Sequence, residues 1–156
     1  MKTNHKIKEK IKEKIKEKIK EFRIVCVDFD CTLTINDAYP FAGTPNLLAM
    51  AILREYRKRG NKLILWTCRT GFALENAIKL CKGNGLEFDA VNDNLPEATA
   101  SWRKLHPDVE MSRKVYAEMY IDDRGPHAIL HGIDWDAVCQ LLLGISLEEF
   151  QVQYME

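Results

Sequence analysis

The sequence predicts an α/β fold with a mainly parallel sheet. Two observations indicate it: short apolar runs alternate with segments of helical spacing from residue 22 onward, and polar residues, mostly carboxylates, directly follow most of those runs. Buried parallel strands have this pattern, because the sites of such sheets lie at the carboxyl ends of the strands. Alternating strands and helices then imply right-handed crossovers and a Rossmann-like three-layer sandwich.

The predicted elements follow in order along the chain. Residues 47–59 have the apolar spacing of a helix, with basic residues near the end and Gly60 just after it. A second helix, 72–82, stops in a cluster of glycine and asparagine. Strands are predicted at 24–27, 63–66, 88–91 and 119–121, and short helices at 101–105 and 112–117.

A lysine-rich tail precedes this pattern. Residues 6–21 are four copies of Lys-Ile-Lys-Glu, and residues 1–21 hold nine lysines against four glutamates although the whole chain has no net charge. The domain prediction is therefore a flexible or helical arm at 1–21 and one α/β domain at 22–156. A solvated arm is one interpretation, and an electrostatic tether to nucleic acid or an anionic surface is the other.

Cysteine usage and hydropathy predict a cytoplasmic protein. The five cysteines are odd in number and none forms a Cys-x-x-Cys pair, which favours reduced thiols. No apolar run approaches the roughly 20 residues of a membrane helix, and no signal peptide follows the basic N-terminus.

Carboxylates after the strands form the candidate site. Asp28, Asp30, Thr67, Asp122 and Asp123 follow three of the four strands, so they are expected in one crevice. Beyond the strand end Asp28 and Asp30 can diverge, one presenting a nucleophile and the other an acid. Carboxylates this close repel one another unless a hard divalent cation lies among them, which predicts Mg²⁺ as cofactor.

These motifs resemble those of the haloacid dehalogenase (HAD) superfamily. The run Asp28-Phe29-Asp30-Cys31-Thr32-Leu33-Thr34 is similar to its first signature, Leu65-Trp66-Thr67 to its second and Tyr120-Ile121-Asp122-Asp123 to its fourth. The resemblance implies a capless HAD-like phosphatase, a hydrolase acting on phosphoric monoesters. Most members carry glycine where this chain has Cys31, so the turn here must accommodate a side chain.

The resemblance also implies roles for single residues. Asp28 is expected to attack phosphorus and become an aspartyl phosphate, while Asp30 protonates the leaving oxygen and then activates water. Thr67 would hydrogen-bond the phosphoryl group. The implied metal set is Asp28, Asp30 through its backbone carbonyl, Asp122 and Asp123, of which Asp123 binds directly or through water.

A lysine is expected to neutralise the transferring phosphoryl group. Lys114 is favoured because it lies at the start of the predicted helix before the fourth strand, and Lys104 is the alternative. Arg69 could bind a phosphate oxygen as well, or form an ion pair with a nearby carboxylate.

The lengths of two segments and two short motifs indicate the class of substrate. Neither residues 35–46 nor residues 92–110 are long enough for a cap domain, and an open crevice suits a large substrate or an oligomer that closes the site. Thr67-x-Arg69 and Ile121-Asp122-Asp123-Arg124 resemble the phosphatase domain of polynucleotide kinase-phosphatases. A nucleotide or nucleic-acid end is therefore one expected substrate, and a sugar phosphate is another.

Two other classes of protein share part of this sequence pattern. A non-catalytic phosphate- or metal-binding module has the same fold, but every residue type that the chemistry needs is present. A receiver domain of signalling systems would place its acidic pair near the start of the chain, whereas here the pair of adjacent aspartates comes last.

Overall fold

The computed structural model describes residues 9–10 and 23–155. The predicted arm at 1–21 thus lies outside the described residues, apart from Glu9 and Lys10. Within the described part the strands are β1 (Ile24–Val27), β2 (Lys62–Leu65), β3 (Ala90–Val91) and β4 (Met119–Ile121). The helices there are α1 (Leu47–Lys58), α2 (Gly71–Gly83), α3 (Pro96–Leu105), α4 (Pro126–His131), α5 (Trp135–Leu143) and α6 (Leu147–Tyr154).

The four strands form a parallel sheet in the order β3-β2-β1-β4. In the register of the two central pairs, Val27 lies beside Leu65 on one side and Ile121 on the other. This architecture confirms the predicted Rossmann-like α/β fold class. Strand and helix bounds differ from the predicted ones mostly by one or two residues, which is the usual uncertainty at element ends.

Helical layers cover both faces of the sheet. One face presents Val25, Val27 and their neighbours to the main core, which α1, α5 and α6 help to complete. The opposite face presents Cys26 and Ile64 to a smaller core that includes Val115 and residues before and within α3. Alternate residues of a strand point to opposite faces, so the continuous apolar runs reflect burial on both sides.

The predicted helix at 112–117 is wrong, because this segment has no helix in the structure. Val115 and Ala117 are buried against the sheet while Tyr116 between them is exposed. That alternation has the period of extended chain, so burying the two small apolar residues requires an extended backbone here. Asn94 Oδ1 accepts a hydrogen bond from Tyr116 N–H at 2.8 Å and fixes the segment to the loop after β3.

Sequence analysis also left residues 126–155 without assigned elements, yet α4, α5 and α6 lie there. Asp134 caps the N-terminus of α5, and Ser146 and Glu149 form a capping box on α6. These signals were readable in the sequence. None of the helices in the described ranges is long and apolar enough to cross a membrane.

A network around Asp89 ties α1 to the edge of the sheet. Its carboxylate accepts two hydrogen bonds from Arg57, at 3.2 and 3.1 Å, and one from Leu63 N–H at 2.9 Å. Lys62 Nζ lies 3.5 Å away. Burial opposes ionisation, but these donors outweigh it and hold the pKa of Asp89 below its ordinary value.

We expect Asp89→Asn to lower the free energy of unfolding at neutral pH by about 2 kcal/mol, because charge-assisted bonds are lost. A depressed native pKa stabilises the fold above the unfolded-state pKa, and this contribution is lost as the pH falls through the native value. Urea unfolding at pH 7 and near pH 3 measures it. The difference between wild type and variant should shrink at the acid pH, and an equal difference at both would contradict the argument.

Candidate active site

Three backbone hydrogen bonds align the ends of the four strands. Asp28 N–H donates to Ile121 O, Trp66 N–H to Val27 O and Asn92 N–H to Leu65 O. The residues that follow the strands are thereby brought to one edge of the sheet, around a cleft of about 270 Å³. Its lining consists of Asp28, Asp30, Cys31, Asp37, Trp66, Thr67, Cys68, Asp122, Asp123 and Arg124. The five residues expected to share a crevice therefore do line one cleft.

Asp28, Asp122 and Asp123 form a carboxylate cluster. One oxygen of each lies within 4.8 Å of the others. Burial and the neighbouring negative charges raise the pKa of Asp28 to about 7, although hydrogen bonding to Phe29 N–H opposes the shift. Burial and Asp122 likewise raise the pKa of Asp123. The protein alone thus leaves the cluster short of positive charge.

A magnesium ion fits this donor set. Mg²⁺ takes oxygen ligands at 2.0–2.1 Å, so two of its ligands are at most about 4.2 Å apart, a distance compatible with three oxygens that all lie within 4.8 Å of one another. A bound cation would favour the charged form of every carboxylate whose pKa is raised here. Asp28, Asp122 and Asp123 are the residues that would hold it.

The turn after Asp28 is built by its two threonines. Buried Thr32 donates its hydroxyl to Asp28 Oδ2 at 3.4 Å, and Thr34 Oγ1 accepts Cys31 N–H at 3.1 Å. Cys31 has φ of 56°, in the left-handed region that favours glycine. The turn therefore requires the glycine-like conformation, and Cys31 adopts it with strain. Burial and surrounding carboxylates raise the pKa of its thiol, which disfavours the reactive thiolate.

Asp30 is held apart from the carboxylate cluster by Arg69. The guanidinium donates to both carboxylate oxygens, from Nε at 2.9 Å and from Nη2 at 2.6 Å. Arg69 is 1% exposed, and the bond to Asp30 raises its pKa despite burial. This bidentate geometry is the strong form of an ion pair.

The remaining donors of Arg69 fix a loop beside the site. Its Nη atoms also donate to the carbonyls of Pro40, Phe41 and Ala73, so all five N–H donors are used. A phosphate contact would first require one of these bonds to break. The ion pair with a nearby carboxylate, the alternative that the sequence left open, is the contact present.

Thr67 depends on a residue that sequence reasoning missed. Thr67 N–H donates to Asn92 Oδ1 at 2.8 Å, and Thr67 Oγ1 accepts Arg69 N–H at 3.2 Å. Asn92 follows β3 and has φ of 51°, a conformation that asparagine tolerates better than most residues. Its position just after the third strand was the available signal, since the same rule identified the polar residues after the other three.

Neither candidate lysine is among the residues lining the cleft. Lys114 Nζ lies 5.0 Å from the centroid of the Tyr120 ring, and Lys104 is exposed in the last turn of α3. The predicted helix at 112–117 is absent, so Lys114 does not lie at a helix start before β4. Arg124, whose N–H donates to Asp122 Oδ1 at 2.8 Å, is a cation that does line the cleft.

One solved structure decides the family. A conserved protein of Bacteroides thetaiotaomicron is 33% identical to this chain, over 76% of this chain and 88% of its own, with a TM-score of 0.61. The chain belongs to the family of that conserved protein. A 3-deoxy-D-manno-octulosonate 8-phosphate phosphatase from Moraxella catarrhalis, solved with magnesium, phosphate and its sugar, is 18% identical over 90% of this chain and 97% of its own, with a TM-score of 0.38. No protein-family model and no curated protein matches.

Neither of these two similar structures assigns an activity to this chain. The 33% identical protein is described only as conserved, and the similarity to the phosphatase is too small to support an argument. The resemblance to polynucleotide kinase-phosphatases stays a prediction. The activity has to be argued from this chain's own residues.

Cys31→Gly should raise the free energy of unfolding by about 1 kcal/mol, since glycine adopts the left-handed conformation without the side-chain penalty. Thermal and urea unfolding measure the gain. Cys31→Ala is the matched control, because it removes the thiol and keeps the strain. Equal stability of the glycine and alanine variants would contradict the interpretation.

Proposed function

We propose that the protein is a magnesium-dependent phosphomonoester hydrolase that acts through an aspartyl-phosphate intermediate. The observation that carries the proposal is the cluster of Asp28, Asp122 and Asp123 with Asp30 and Thr67 lining the same cleft. These residues supply a nucleophile, a donor set for Mg²⁺, an acid and a phosphate contact in one place.

Asp28 is the nucleophile in this proposal. One carboxylate oxygen forms a bond to phosphorus as the bond between phosphorus and the leaving oxygen breaks. Thr32 holds the other oxygen, Oδ2, at 3.4 Å and so orients the carboxylate. Bound Mg²⁺ supplies positive charge that offsets the repulsion between a phosphate dianion and the carboxylates.

Asp30 is the general acid and then the general base. Once Asp30 is protonated and one of its bonds to Arg69 has opened, it gives its proton to the leaving oxygen, and it later takes a proton from the water that attacks the phosphorus of the aspartyl phosphate. That second attack breaks the bond between phosphorus and the Asp28 oxygen and releases inorganic phosphate. Arg69 acts on this step as a positioning residue, because it sets where the Asp30 carboxylate lies.

Groups that bind the phosphoryl oxygens complete the proposal. Thr67 supplies a hydroxyl within the cleft, and Arg124 supplies a positive charge there. Lys114 remains the proposed lysine, and its flexible four-carbon stem would have to leave the Tyr120 ring to reach a phosphate. Lys104 stays the alternative.

The first test is phosphate release from 4-nitrophenyl phosphate. We expect turnover that needs Mg²⁺, stops when the metal is chelated and is lost in Asp28→Asn. Asp108→Asn, an exposed carboxylate outside the cleft, should keep wild-type turnover. A folded wild type that binds Mg²⁺ and hydrolyses no phosphomonoester in a broad screen would contradict the proposal and favour a binding module.

The role of Asp30 and Arg69 predicts a dependence on the leaving group. An alkyl leaving group needs a proton from Asp30, whereas 4-nitrophenolate leaves without one. Asp30→Asn should therefore lower kcat/KM, which reports the steps up to departure of the leaving group, about 10²- to 10⁴-fold for glycerol phosphate and far less for 4-nitrophenyl phosphate.

Arg69→Gln should follow the same pattern in milder form, and Arg69→Lys should recover part of the loss because the charge is kept. The kcat/KM values for both substrates separate this from a merely structural effect, which would lower both kcat/KM values equally. An equal loss for the two substrates would exclude Arg69 as a positioning residue for Asp30.

A further inference from the structure

A second, larger cleft lies beside β4, the strand that Asp122 and Asp123 follow. It measures about 640 Å³ and lies between α3, the extended segment before β4, and β4 itself. Protein sites for small organic molecules typically measure about 300–1,000 Å³ and are mostly apolar with a few polar groups. The lining has that composition: Asn94, Ala98, Trp102, Met111, Ser112, Lys114, Val115, Tyr116, Ala117 and Tyr120.

Three aromatic rings, those of Trp102, Tyr116 and Tyr120, line this second cleft, and we call it the aromatic cleft. Trp102 is 40% exposed, Tyr116 61% and Tyr120 42%. The sequence favours a core or lid anchor over a stacking platform for Trp102, but the structure leaves its side chain exposed rather than in the core. Three exposed rings around a concave surface offer stacking contacts to a flat ligand, and such contacts are tolerant of ring identity.

The strand register places the aromatic cleft next to the carboxylate cluster. Tyr120 pairs with Cys26, and Asp122 and Asp28 each follow two residues later, one residue beyond the ends of β4 and β1. Residues two apart in a strand point to the same face and lie roughly 6.6 Å apart along it. Tyr120 is therefore two residues away from Asp122, a proposed metal ligand.

The loop after β3 joins the two sites. Asn92 binds Thr67 N–H in the carboxylate cleft, and Asn94 binds Tyr116 N–H in the aromatic cleft. Lys114 adds a cation to the lining of the aromatic cleft, 5.0 Å from the Tyr120 ring centroid. A ligand with an anionic group and a flat ring matches a cation and aromatic walls beside a phosphate site.

We propose that the aromatic cleft binds the flat ring of the leaving group, so that the substrate is a phosphomonoester carrying an aromatic or heteroaromatic ring, as nucleoside phosphates do. The inference rests on the proposed hydrolase and names its substrate class. A sugar phosphate or a polyol phosphate lacks an aromatic ring to stack on these walls.

The test compares kcat/KM for adenosine 5′-monophosphate and for glycerol phosphate. The wild type should prefer the nucleotide, and Trp102→Ala should lower kcat/KM about tenfold for the nucleotide only, as loss of one stacking ring does. Tyr116→Ala serves as a second variant, since the bond to Asn94 uses its backbone and persists. Leu105→Ala is the matched control, because Leu105 is 74% exposed on the same helix and does not line the cleft.

A binding measurement keeps this inference separable from the proposed hydrolase. Adenosine, which has no phosphate, is titrated into each protein by calorimetry, and binding should weaken in Trp102→Ala and Tyr116→Ala but not in Leu105→Ala. Ring binding of this kind without turnover of any phosphomonoester would contradict the hydrolase and support the ring site. Turnover with the same substrate preference in wild type and Trp102→Ala would overturn the substrate class and leave the hydrolase standing.

Discussion

The site depends on the parallel alignment of the strand ends. Asp28 N–H bonds to Ile121 O, and Trp66 N–H bonds to Val27 O, so each strand fixes where its neighbour stops. A shift of β4 by one residue would turn Asp122 to the opposite face of the sheet and break up the carboxylate cluster. The buried apolar strands hold the register, because the same shift would also expose core residues such as Ile121. Fold stability and site geometry thus rest on one set of hydrogen bonds.

Such convergence concentrates negative charge, and the chain neutralises it in two ways. Asp30 is neutralised within the protein by a buried arginine, whose loss would leave the Asp30 charge unpaired. Asp28, Asp122 and Asp123 form a cluster in which the pKa values of Asp28 and Asp123 are raised. A bound cation would offset the repulsion that contributes to these shifts. The first arrangement fixes the Asp30 carboxylate in place, and the second is a donor set that a divalent cation would fit. Two neighbouring aspartates, Asp28 and Asp30, can therefore perform different roles.

Much of the fold was predictable, because its signals are local. Apolar runs ending in carboxylates located β1 and β4 without error, and helical spacing with terminal glycines located α1 and α2. The helix expected at 112–117 failed for a non-local reason: Val115 and Ala117 fill space against Ile64 and Cys26, strands distant in sequence. The same holds for the site. Strand-end position identified Asp28 and Asp122, whereas the pairing of Arg69 with Asp30 depends on a turn and a loop whose paths no local pattern specifies.

In the proposed function the two clefts contact different parts of the substrate, the phosphoryl group and the ring of the leaving group. The carboxylate cleft contains the groups that the proposed reaction needs at the phosphoryl end of the substrate, with Trp66 as the one aromatic ring in its lining. Discrimination needs differential contacts, and in the proposed substrate class the aromatic cleft would supply them for a flat ring. The extended backbone of the segment before β4 is what opens this second cleft, because it turns Tyr116 outward while burying Val115 and Ala117 on either side. The failed helix prediction and the proposed substrate class therefore have one structural cause.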